Sequence, residues 1–434
     1  MTDQILIRGA RVIDPATGRD ETTDVLVAGG RIAGLGQGLK ADGAEVLEAA
    51  GLILAPGLVD LHTHLREPGE EHKETIATGT RAAAVGGYTA VSSMANTVPV
   101  TDHAAIVAEI REKAAQAGLA DVFPVGAVTK GLEGESLAEM GEMVASGVRV
   151  FSDDGRSVST ARILRNALTY ARAFPIDVVI ADHCEEPSLV ERGQMHEGVN
   201  SYSLGLAGRP AEAEEIMVAR DIAVARLTGG RIHICHLSAA RAVELVRRAK
   251  ADGVRMTAEV TPHHLAFTDE DLLTYDTNLK MHPPLRTAED RAALVAGLAD
   301  GTIDAIATDH APHAVEEKEA EFDLSPPGTI GLETALAAVL THAVKPGYLT
   351  MTRALEAMSS APASILGAEG HGGPIEQGRP ANLVIFDPDE EWIPEAPFVS
   401  KARNCAFLGR RLTGRVRYTL LRGDLTVADG KATK

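Results

Sequence analysis

Eight short apolar segments alternate with helical stretches through the middle of the chain, and this alternation constrains the fold more than any other feature. The segments are residues 58–64, 88–94, 121–128, 149–154, 177–183, 231–237, 255–264 and 302–310. The stretches between them are rich in Ala, Glu and Arg with helical periodicity, and several end in glycine, a frequent helix C-cap. Eight strands, each followed by a helix, predict an α/β fold, a (β/α)8 TIM-like barrel. Its functional site is expected at the carboxyl ends of the strands.

The two ends of the chain have a different texture. Residues 5–57 and 381–430 contain short β-branched runs separated by Gly, Asp and Pro, which is typical of small sheets. We therefore predict a small β-sandwich domain formed by both chain ends, residues 1–55 and 370–434, and a barrel domain over residues 56–369. A length of 434 residues suits one large barrel with one smaller domain.

Composition excludes several classes of partner. The formal net charge of −19 and an aromatic content of 3% argue against nucleic-acid binding, which needs cationic stripes and stacking surfaces. No apolar run approaches the roughly 20 residues of a membrane helix, and the N-terminus has no secretory pattern. The three cysteines, Cys184, Cys235 and Cys405, are too sparse for a disulfide framework. We expect a cytoplasmic protein that binds neither nucleic acid nor membrane.

Histidine and aspartate collect at the ends of five predicted strands. They are His62 and His64 on strand one, Asp153 and Asp154 on strand four, His183 on strand five, His236 on strand six and Asp309 on strand eight. Residues i and i+2 of a strand point the same way, so the first two histidines can bind one ion. Imidazoles and carboxylates are ligands that suit Zn²⁺. Six ligands are too many for one tetrahedral zinc but suit two ions that share a carboxylate. Strand alternation lets only one of the two adjacent aspartates face the barrel interior, and it does not say which.

A structural role is the simpler interpretation of several other candidates. Each of five histidines, taken alone, is most simply a hydrogen-bonded structural residue: His233, His263, His264, His310 and His342. Cys184 and Cys235 are each one position out of phase with a predicted ligand, so they should point to the opposite side of their strands. We predict that both are small buried apolar residues.

Two motifs carry a family resemblance. "GLVDLHTHLREPG" (57–69) and "ATDHAPHAVEEK" (307–318) resemble the paired signatures of dihydroorotases, within the amidohydrolase superfamily of cyclic amidases. "MANTVPVTD", "FSDDG", "DHCE", "ICHLS", "PHHL", "KMHPPLR" and "GLETA" follow in the family's order, so the resemblance covers nearly the whole chain. It implies reversible hydrolysis between L-dihydroorotate and N-carbamoyl-L-aspartate, in de novo pyrimidine (UMP) biosynthesis.

The resemblance also implies roles for individual residues. One zinc would bind His62, His64 and Asp309, the other would bind His183 and His236, and Asp154 would bridge the two. Asp309 would act as general acid and base when a metal-bound hydroxide attacks the ring. The residues implied in substrate binding are His64, Arg66, Asn96, His282, His313, Pro327 and Gly328.

Of the implied substrate contacts, Arg66 matches the family pattern and His282 departs from it. Arg66 matches the family's carboxylate-binding arginine, and a guanidinium pairs with a carboxylate through two hydrogen bonds. His282 departs from the family, which often has Asn before the Pro-Pro-Leu-Arg segment. An imidazole replaces one amide hydrogen bond but not both in the same geometry.

Three alternatives concern activity and assembly. A hydantoinase or allantoinase on the same scaffold typically bridges its metals with a carboxylated lysine on strand four, and "SGVRVFSDDG" (146–155) contains no lysine. Some dihydroorotase-like chains have lost their ligands and only brace aspartate carbamoyltransferase, whereas this chain keeps the whole set. An active chain can also associate with that transferase, and we expect a homo-oligomer.

Overall fold

The structure is a computed structural model that describes residues 4–434; the first three residues of the predicted small domain lie outside this range. Its strands are β1 Gln4–Asp14, β2 Arg19–Ala28, β3 Arg31–Gly36, β4 Glu45–Glu48, β5 Ile53–Pro56, β6 Leu58–Asp60, β7 Tyr88–Ser93, β8 Asp121–Pro124, β9 Val150–Ser152, β10 Val179–Asp182, β11 Met195–His196, β12 Gly208–Arg209, β13 Arg231–Ile234, β14 Met256–Val260, β15 Ala305–Ile306, β16 Leu383–Trp392, β17 Leu412–Leu421, β18 Asp424–Ala428 and β19 Lys431–Ala432.

The helices lie mostly between the strands of the barrel. They are α1 Ile76–Val85, α2 Ala104–Ala117, α3 Met140–Ala145, α4 Ala161–Ala171, α5 Pro187–Val190, α6 Val199–Leu204, α7 Glu212–Thr228, α8 Ala240–Ala251, α9 Pro262–Ala266, α10 Ala288–Ala299, α11 Val315–Lys318, α12 Ala335–Val339, α13 Met351–Met358 and α14 Ser360–Leu366. Short 3₁₀ segments cover Lys130–Leu132, Asp269–Thr274 and Thr277–Leu279, and a π-helical turn covers Leu340–Val344. None of the helices within residues 4–434 is long and apolar enough to cross a membrane.

Eight parallel strands form the barrel, as predicted. Strands β6, β7 and β8 make one sheet, and β9, β10, β13, β14 and β15 make another. Parallel bridges join the two sheets, from Gly126 to Phe151 on one side and from Thr63 to His310 on the other. The strands are shorter than the apolar segments that predicted them, because the last residues of most segments leave the ladder and enter the site.

Both chain ends contribute to one nine-stranded sheet, which confirms the predicted fold class. The order is β19-β18-β17-β16-β5-β1-β2-β3, with β4 paired to β1. The two ends meet where β16 runs antiparallel to β5, with Leu383 opposite Pro56. A separate buried apolar cluster lies on this sheet and includes Ile7, Val25 and Leu420. The residue numbers at which one domain gives way to the other stay a prediction.

The barrel helices begin at the residues that local chemistry favours. Thr160 accepts a hydrogen bond from the amide of Ile163, and Thr287 forms a reciprocal capping box with Asp290. The inner faces of these helices pack on the barrel in the largest apolar cluster of the described residues. This packing fixes the strand ends, and so the positions of the residues that follow them.

Candidate active site

A cavity of about 230 Å³ opens at the carboxyl ends of the barrel strands. Its walls contain the predicted substrate-binding residues and five of the six predicted ligands; the lining is His64, Arg66, Asn96, Asp154, Gly155, His183, His236, His282, Asp309, Ala311, His313, Pro327 and Gly328. The sixth predicted ligand, His62, lies beneath the floor and is 1% exposed. A second cavity of about 690 Å³ adjoins the first and shares Gly155, His183 and His282 with it.

Asp154 lies at the centre of the cluster, with each carboxylate oxygen facing a different pair of histidines. Its Oδ2 is 3.2 Å from Nε2 of His62 and 3.4 Å from Nε2 of His64. Its Oδ1 is 3.3 Å from Nε2 of His236 and 3.5 Å from Nδ1 of His183. A carboxylate placed in this way can bind two ions at once.

Asp309 completes the first of two groups of donor atoms, which also contains His62 and His64. Its Oδ1 is 3.2 Å from Nε2 of His64 and 3.7 Å from Nε2 of His62. Burial alone would raise the pKa of Asp309, but the hydrogen bond with His64 and the nearby histidines hold it below its ordinary value. The second group is closed by Nδ1 of His183 and Nε2 of His236, which are 3.1 Å apart.

The donor atoms suit divalent metal ions. Donors bound to one ion at about 2.0–2.2 Å lie about 3.2–3.6 Å from each other in a tetrahedral arrangement, and nearly all the separations above fall in this range. Nε2 of His62 is buried and has no hydrogen-bond partner among the described residues, although a buried polar atom normally has one. The imidazole and carboxylate donors therefore fit a metal centre. Two sets of three residues each bring their donor atoms close enough together to hold an ion: His62, Asp154 and His236, and His62, His64 and Asp309.

Buried carboxylates orient two of the histidines from behind. Nδ1 of His62 donates to Oε1 of Glu259 at 2.9 Å, and Oε2 of Glu259 lies 3.1 Å from Nε2 of His233. Burial would raise the pKa of Glu259, but His233 and His62 hold it at about 2. Nε2 of His183 donates to Oε2 of Glu185 at 3.0 Å, and Arg209 donates to the same oxygen at 2.8 Å. These contacts leave Nε2 of His62 and Nδ1 of His183 as the ring nitrogens that would bind a metal ion.

The third oriented histidine depends on an amide. Nδ1 of His64 donates to Oδ1 of Asn96 at 2.9 Å, and Nδ2 of Asn96 donates to the backbone oxygen of Asp154 at 3.3 Å. Asn96 therefore links the ends of β7 and β9 and directs Nε2 of His64 toward Asp309. This is an orienting contact in addition to the predicted contact with substrate.

The two adjacent aspartates of FSDDG face different surroundings. Asp153 accepts hydrogen bonds from the amides of Val128 and Thr129 at 2.8 and 2.9 Å, and from the Thr129 hydroxyl at 2.6 Å. These contacts hold the segment after β8 against the end of β9. Asp153 therefore supports the barrel rim, and Asp154 alone of the pair lies among the histidines.

Asp60 has a comparable structural role at the closure of the barrel. It accepts from the amides of His62 and Thr308 at 3.2 and 3.0 Å, and from the Thr308 hydroxyl at 2.5 Å. Burial raises the pKa of Asp60 to about 6. Since these bonds join the ends of β6 and β15, they hold His62 and Asp309 together. Both histidines of the HxH pair follow β6 rather than lying within it.

Three residues of the site have a left-handed backbone that side chains other than glycine rarely adopt. Their φ angles are +60° for Arg66, +34° for His236 and +47° for Asp309. Such a conformation costs about 1–3 kcal/mol and persists where the surrounding structure imposes it. Here it turns the three side chains from the ends of strands into one cavity.

The substrate-facing side of the cavity has cationic and neutral donors. Arg66 donates to the backbone oxygen of Pro312 at 3.2 Å, and its nearest carboxylate, Glu70, is 3.7 Å away. His313 donates from Nε2 to the backbone oxygen of Pro327 at 2.8 Å, and its Nδ1 is buried with no hydrogen-bond partner within residues 4–434. Burial, with Arg66 nearby, lowers the pKa of His313 to about 3, so its imidazole is neutral.

His282 lies between the two cavities. Burial, and then the charge of Arg209, lowers its pKa to about 3, so this side chain is also neutral. A neutral imidazole offers one N–H donor and one acceptor to a ligand. The predicted contacts of His282 and of the other lining residues with substrate stay predictions.

Three of the five histidines that were predicted to be structural have hydrogen-bond or ion-pair partners. His233 contacts Thr257 and Glu259, His264 contacts Thr261 and the backbone oxygen of Pro283, and His310 contacts Glu74. Cys184, Cys235 and Cys405 are buried and free. Burial raises the pKa of Cys235 above its ordinary value, so this thiol stays protonated beside His62.

Sequence reasoning missed the orienting residues Glu185, Arg209 and Glu259. Glu185 carried a signal, because it follows His183 by two residues in "DHCE". Glu259 carried a weaker one: it is an acid inside an apolar strand, and a buried carboxylate needs a partner. Nothing in the sequence around Arg209 indicates its orienting role.

Comparison with solved structures places this fold among the amidohydrolases. L-hydantoinase (dihydropyrimidinase) from Arthrobacter aurescens superposes with a TM-score of 0.89 at 25% identity, covering 100% of this chain and 98% of that one. Dihydropyrimidinase from Brevibacillus agri, at 24% identity and a TM-score of 0.84, covers 99% and 96% and shares the fold. The barrel, the small β domain and the His/Asp centre define a metal-dependent cyclic amidohydrolase.

Sequence comparison narrows the class to a family. Residues 51–242 match the family described as Dihydro-orotase-like. The dihydroorotase of Streptomyces coelicolor is 52% identical over 99% of both chains, and that of Pelotomaculum thermopropionicum is 50% identical over 98% of this chain and 99% of the other. The dihydroorotase of Anaeromyxobacter dehalogenans is 48% identical over the full length of both. The chain belongs to the dihydroorotase family.

Proposed function

We propose that this protein catalyses the reversible hydrolysis of L-dihydroorotate to N-carbamoyl-L-aspartate, a step of pyrimidine biosynthesis. The observation that carries the proposal is the position of Asp154 between two histidine pairs, next to a largely buried arginine whose nearest carboxylate, that of Glu70, is 3.7 Å away. The first feature suits hydrolysis of an amide, and the second suits a substrate with a carboxylate.

The proposed cofactor is a pair of Zn²⁺ ions. His62, His64 and Asp309 would hold one, His183 and His236 the other, and Asp154 would bridge them. When bound, the ions would polarise the amide carbonyl and lower the pKa of a water between them. The donor set supports a metal centre, and both the zinc identity and the number of ions belong to the proposal.

The residues of the chain then divide the remaining work. Arg66, with Asn96 and His313, would bind the substrate carboxylate and hold the ring over the centre. Asp309, which reaches the cavity from the end of β15, would take a proton from the attacking water and deliver it to the leaving ring nitrogen. His282, Pro327 and Gly328 would complete the wall and exclude water from the ring.

A panel of cyclic amides tests this assignment against the hydantoinase and allantoinase alternatives. Metal-loaded protein is incubated separately with dihydroorotate, hydantoin, dihydrouracil and allantoin, and ring opening is followed. We expect a preference for dihydroorotate, because without a substrate carboxylate Arg66 has only its 3.7 Å contact with Glu70 and lacks a charge-assisted hydrogen bond. A preference for any of the other three would overturn the function.

A substitution tests the proton transfer. Asp309→Ala should abolish turnover while the protein keeps its cooperative thermal unfolding, and Asp121→Ala, outside the cavity, is the control. Near-normal turnover in Asp309→Ala would contradict the assigned role.

The assembly is also proposed. We place the protein in the cytoplasm as a homo-oligomer. Its two domains are proposed to meet at residues 55/56 and 369/370. The active chain is also proposed to associate with aspartate carbamoyltransferase. Size-exclusion chromatography of the protein alone, and of the protein co-expressed with that transferase, distinguishes a monomer, a homo-oligomer and a complex with the transferase. A monomer in both samples would contradict the proposed assembly.

A further inference from the structure

One wall of the cavity is a segment without regular secondary structure. Residues 322–328 lead from α11 to the bridge at Thr329, and Pro327 and Gly328 at their end line the cavity. Pro326 and Pro327 have no N–H, so this stretch cannot pair as a strand. Its backbone oxygens need other donors, since a buried carbonyl without a partner is unfavourable.

Two buried lysines supply those donors. Nζ of Lys318 donates to the backbone oxygens of Pro326 at 2.8 Å and Gly328 at 3.3 Å. Nζ of Lys280 donates to the backbone oxygens of Phe322 at 2.7 Å and Asp323 at 3.2 Å, and it lies 5.3 Å from the centre of the Phe322 ring.

Neither lysine is placed as an ordinary surface cation. Lys318 is 7% exposed and Lys280 is 3% exposed, and neither forms an ion pair shorter than 4.0 Å within residues 4–434. Burying an ammonium group is unfavourable unless it is well bonded. Here the bonds go to one segment, and the backbone oxygen of Lys280 also accepts from the amide of Gly328 at 2.8 Å.

We infer that Lys280 and Lys318 are positioning residues, which fix the substrate-facing segment 322–328 through charge-assisted hydrogen bonds to four of its carbonyl oxygens. They act through Pro327 and Gly328 and do not themselves line the cavity. Hydrogen bonds from a charged donor are roughly twice as strong as neutral ones, so loss of the charge loosens the wall. The inference rests on the proposed function and adds two residues to its substrate site.

The surroundings of both ammonium groups make this wall sensitive to pH. Burial, and then the charge of Lys280, lowers the pKa of Lys318 to about 7, against the opposing charges of Asp276 and Glu317. Burial lowers the pKa of Lys280 to about 8; Asp323 opposes this shift and Arg209 adds to it. Both groups are charged at pH 6 and both are neutral at pH 9, so the segment is held most firmly at the acid end of this range.

The experiment measures KM and kcat for dihydroorotate from pH 6 to pH 9 in the wild-type protein and in Lys318→Met, Lys280→Met and Lys250→Met. Lys250 is the matched control, because its Nζ also holds a backbone oxygen, that of Gly301, outside the cavity. In the wild type we expect KM to rise at least fivefold, beginning near pH 7. In Lys318→Met, KM should be at least tenfold higher at pH 6 and should lack that rise, with kcat within about threefold of wild type.

The missing rise separates positioning from simple destabilisation. In Lys318→Met the remaining lysine, Lys280, has a pKa of about 8, so no rise in KM should begin near pH 7. Lys280→Met should raise KM in the same direction, and Lys250→Met should follow the wild-type profile. A wild-type KM that is flat with pH, or a rise that still begins near pH 7 in Lys318→Met, would overturn the inference.

Amide hydrogen exchange gives a readout that does not depend on activity. At one pH, the amides of residues 322–325 and 328 should exchange at least tenfold faster in Lys318→Met than in the wild type, with the barrel strands unchanged. Equal exchange in the two proteins would refute the role of Lys318. If the wild type does not open dihydroorotate at all, the proposed function fails, and the exchange result still decides whether the lysines hold the segment.

Discussion

Replacement of Glu259 by glutamine is the sharpest test of how the metal centre is built. In the wild type, Nδ1 of His62 lies 2.9 Å from Oε1 of Glu259. A glutamine side chain has the same size, so its oxygen can still accept this hydrogen bond. What changes is the charge that orients and polarises this imidazole. Loss of such a partner typically lowers metal affinity 10- to 100-fold, which corresponds to about 1.4–2.7 kcal/mol. Because His62 belongs with His64 and Asp309 to the proposed site of the first ion, we expect the affinity for that ion to fall.

The assay is a competition for Zn²⁺ between the protein and a chromophoric chelator, with the metal content of each sample measured after dialysis. Asp121→Asn is the matched control, since Asp121 forms a similar carboxylate–imidazole contact with His371 at 2.9 Å outside the cavity. The metal-free variants should unfold within a few degrees of the metal-free wild type. Zinc affinity of Glu259→Gln equal to that of the wild type would refute the orienting role of this carboxylate.

Three further substitutions test other parts of the site. Arg66→Met should lower kcat/KM for dihydroorotate about 10- to 100-fold, because a charged hydrogen bond contributes about 1.5–3 kcal/mol; an unchanged value contradicts the carboxylate contact. Asp153→Ala should lower the free energy of unfolding by about 2–4 kcal/mol, since the amides of Val128 and Thr129 lose their acceptor; denaturant titration measures this, and no change refutes the rim role. Asp154→Ala should reduce bound zinc from two ions per chain to one or none, and full retention contradicts the bridge.

The arrangement of the metal-binding candidates could be predicted because it depends on local periodicity and on one property of the barrel. Eight apolar segments give eight strands, and the carboxyl ends of parallel strands meet at one face. His62, His64, His183, His236 and Asp309 therefore come together without any knowledge of their contacts. The family motifs then supplied their roles.

The family resemblance implied Asp154 rather than Asp153 as the bridge, and the tertiary structure gives the physical reason for the difference between them. Both follow β9, and alternation alone left the choice open. The amides after β8 bind Asp153, and this contact turns its neighbour toward the histidines. The decision depends on the position of the adjacent strand, which the local sequence does not contain.

The sequence by itself determined the barrel, the composition of its catalytic face and the family, because strand periodicity and short motifs are local properties. The tertiary structure decided which side chains orient that face. Glu259 and His62 are 197 residues apart, Lys280 meets the backbone of a segment 42 residues further on, and Arg209 reaches Glu185 across two strand ends. Such contacts form only when the barrel closes, because closure brings distant strands and loops within hydrogen-bond distance and removes the water that would otherwise satisfy these groups.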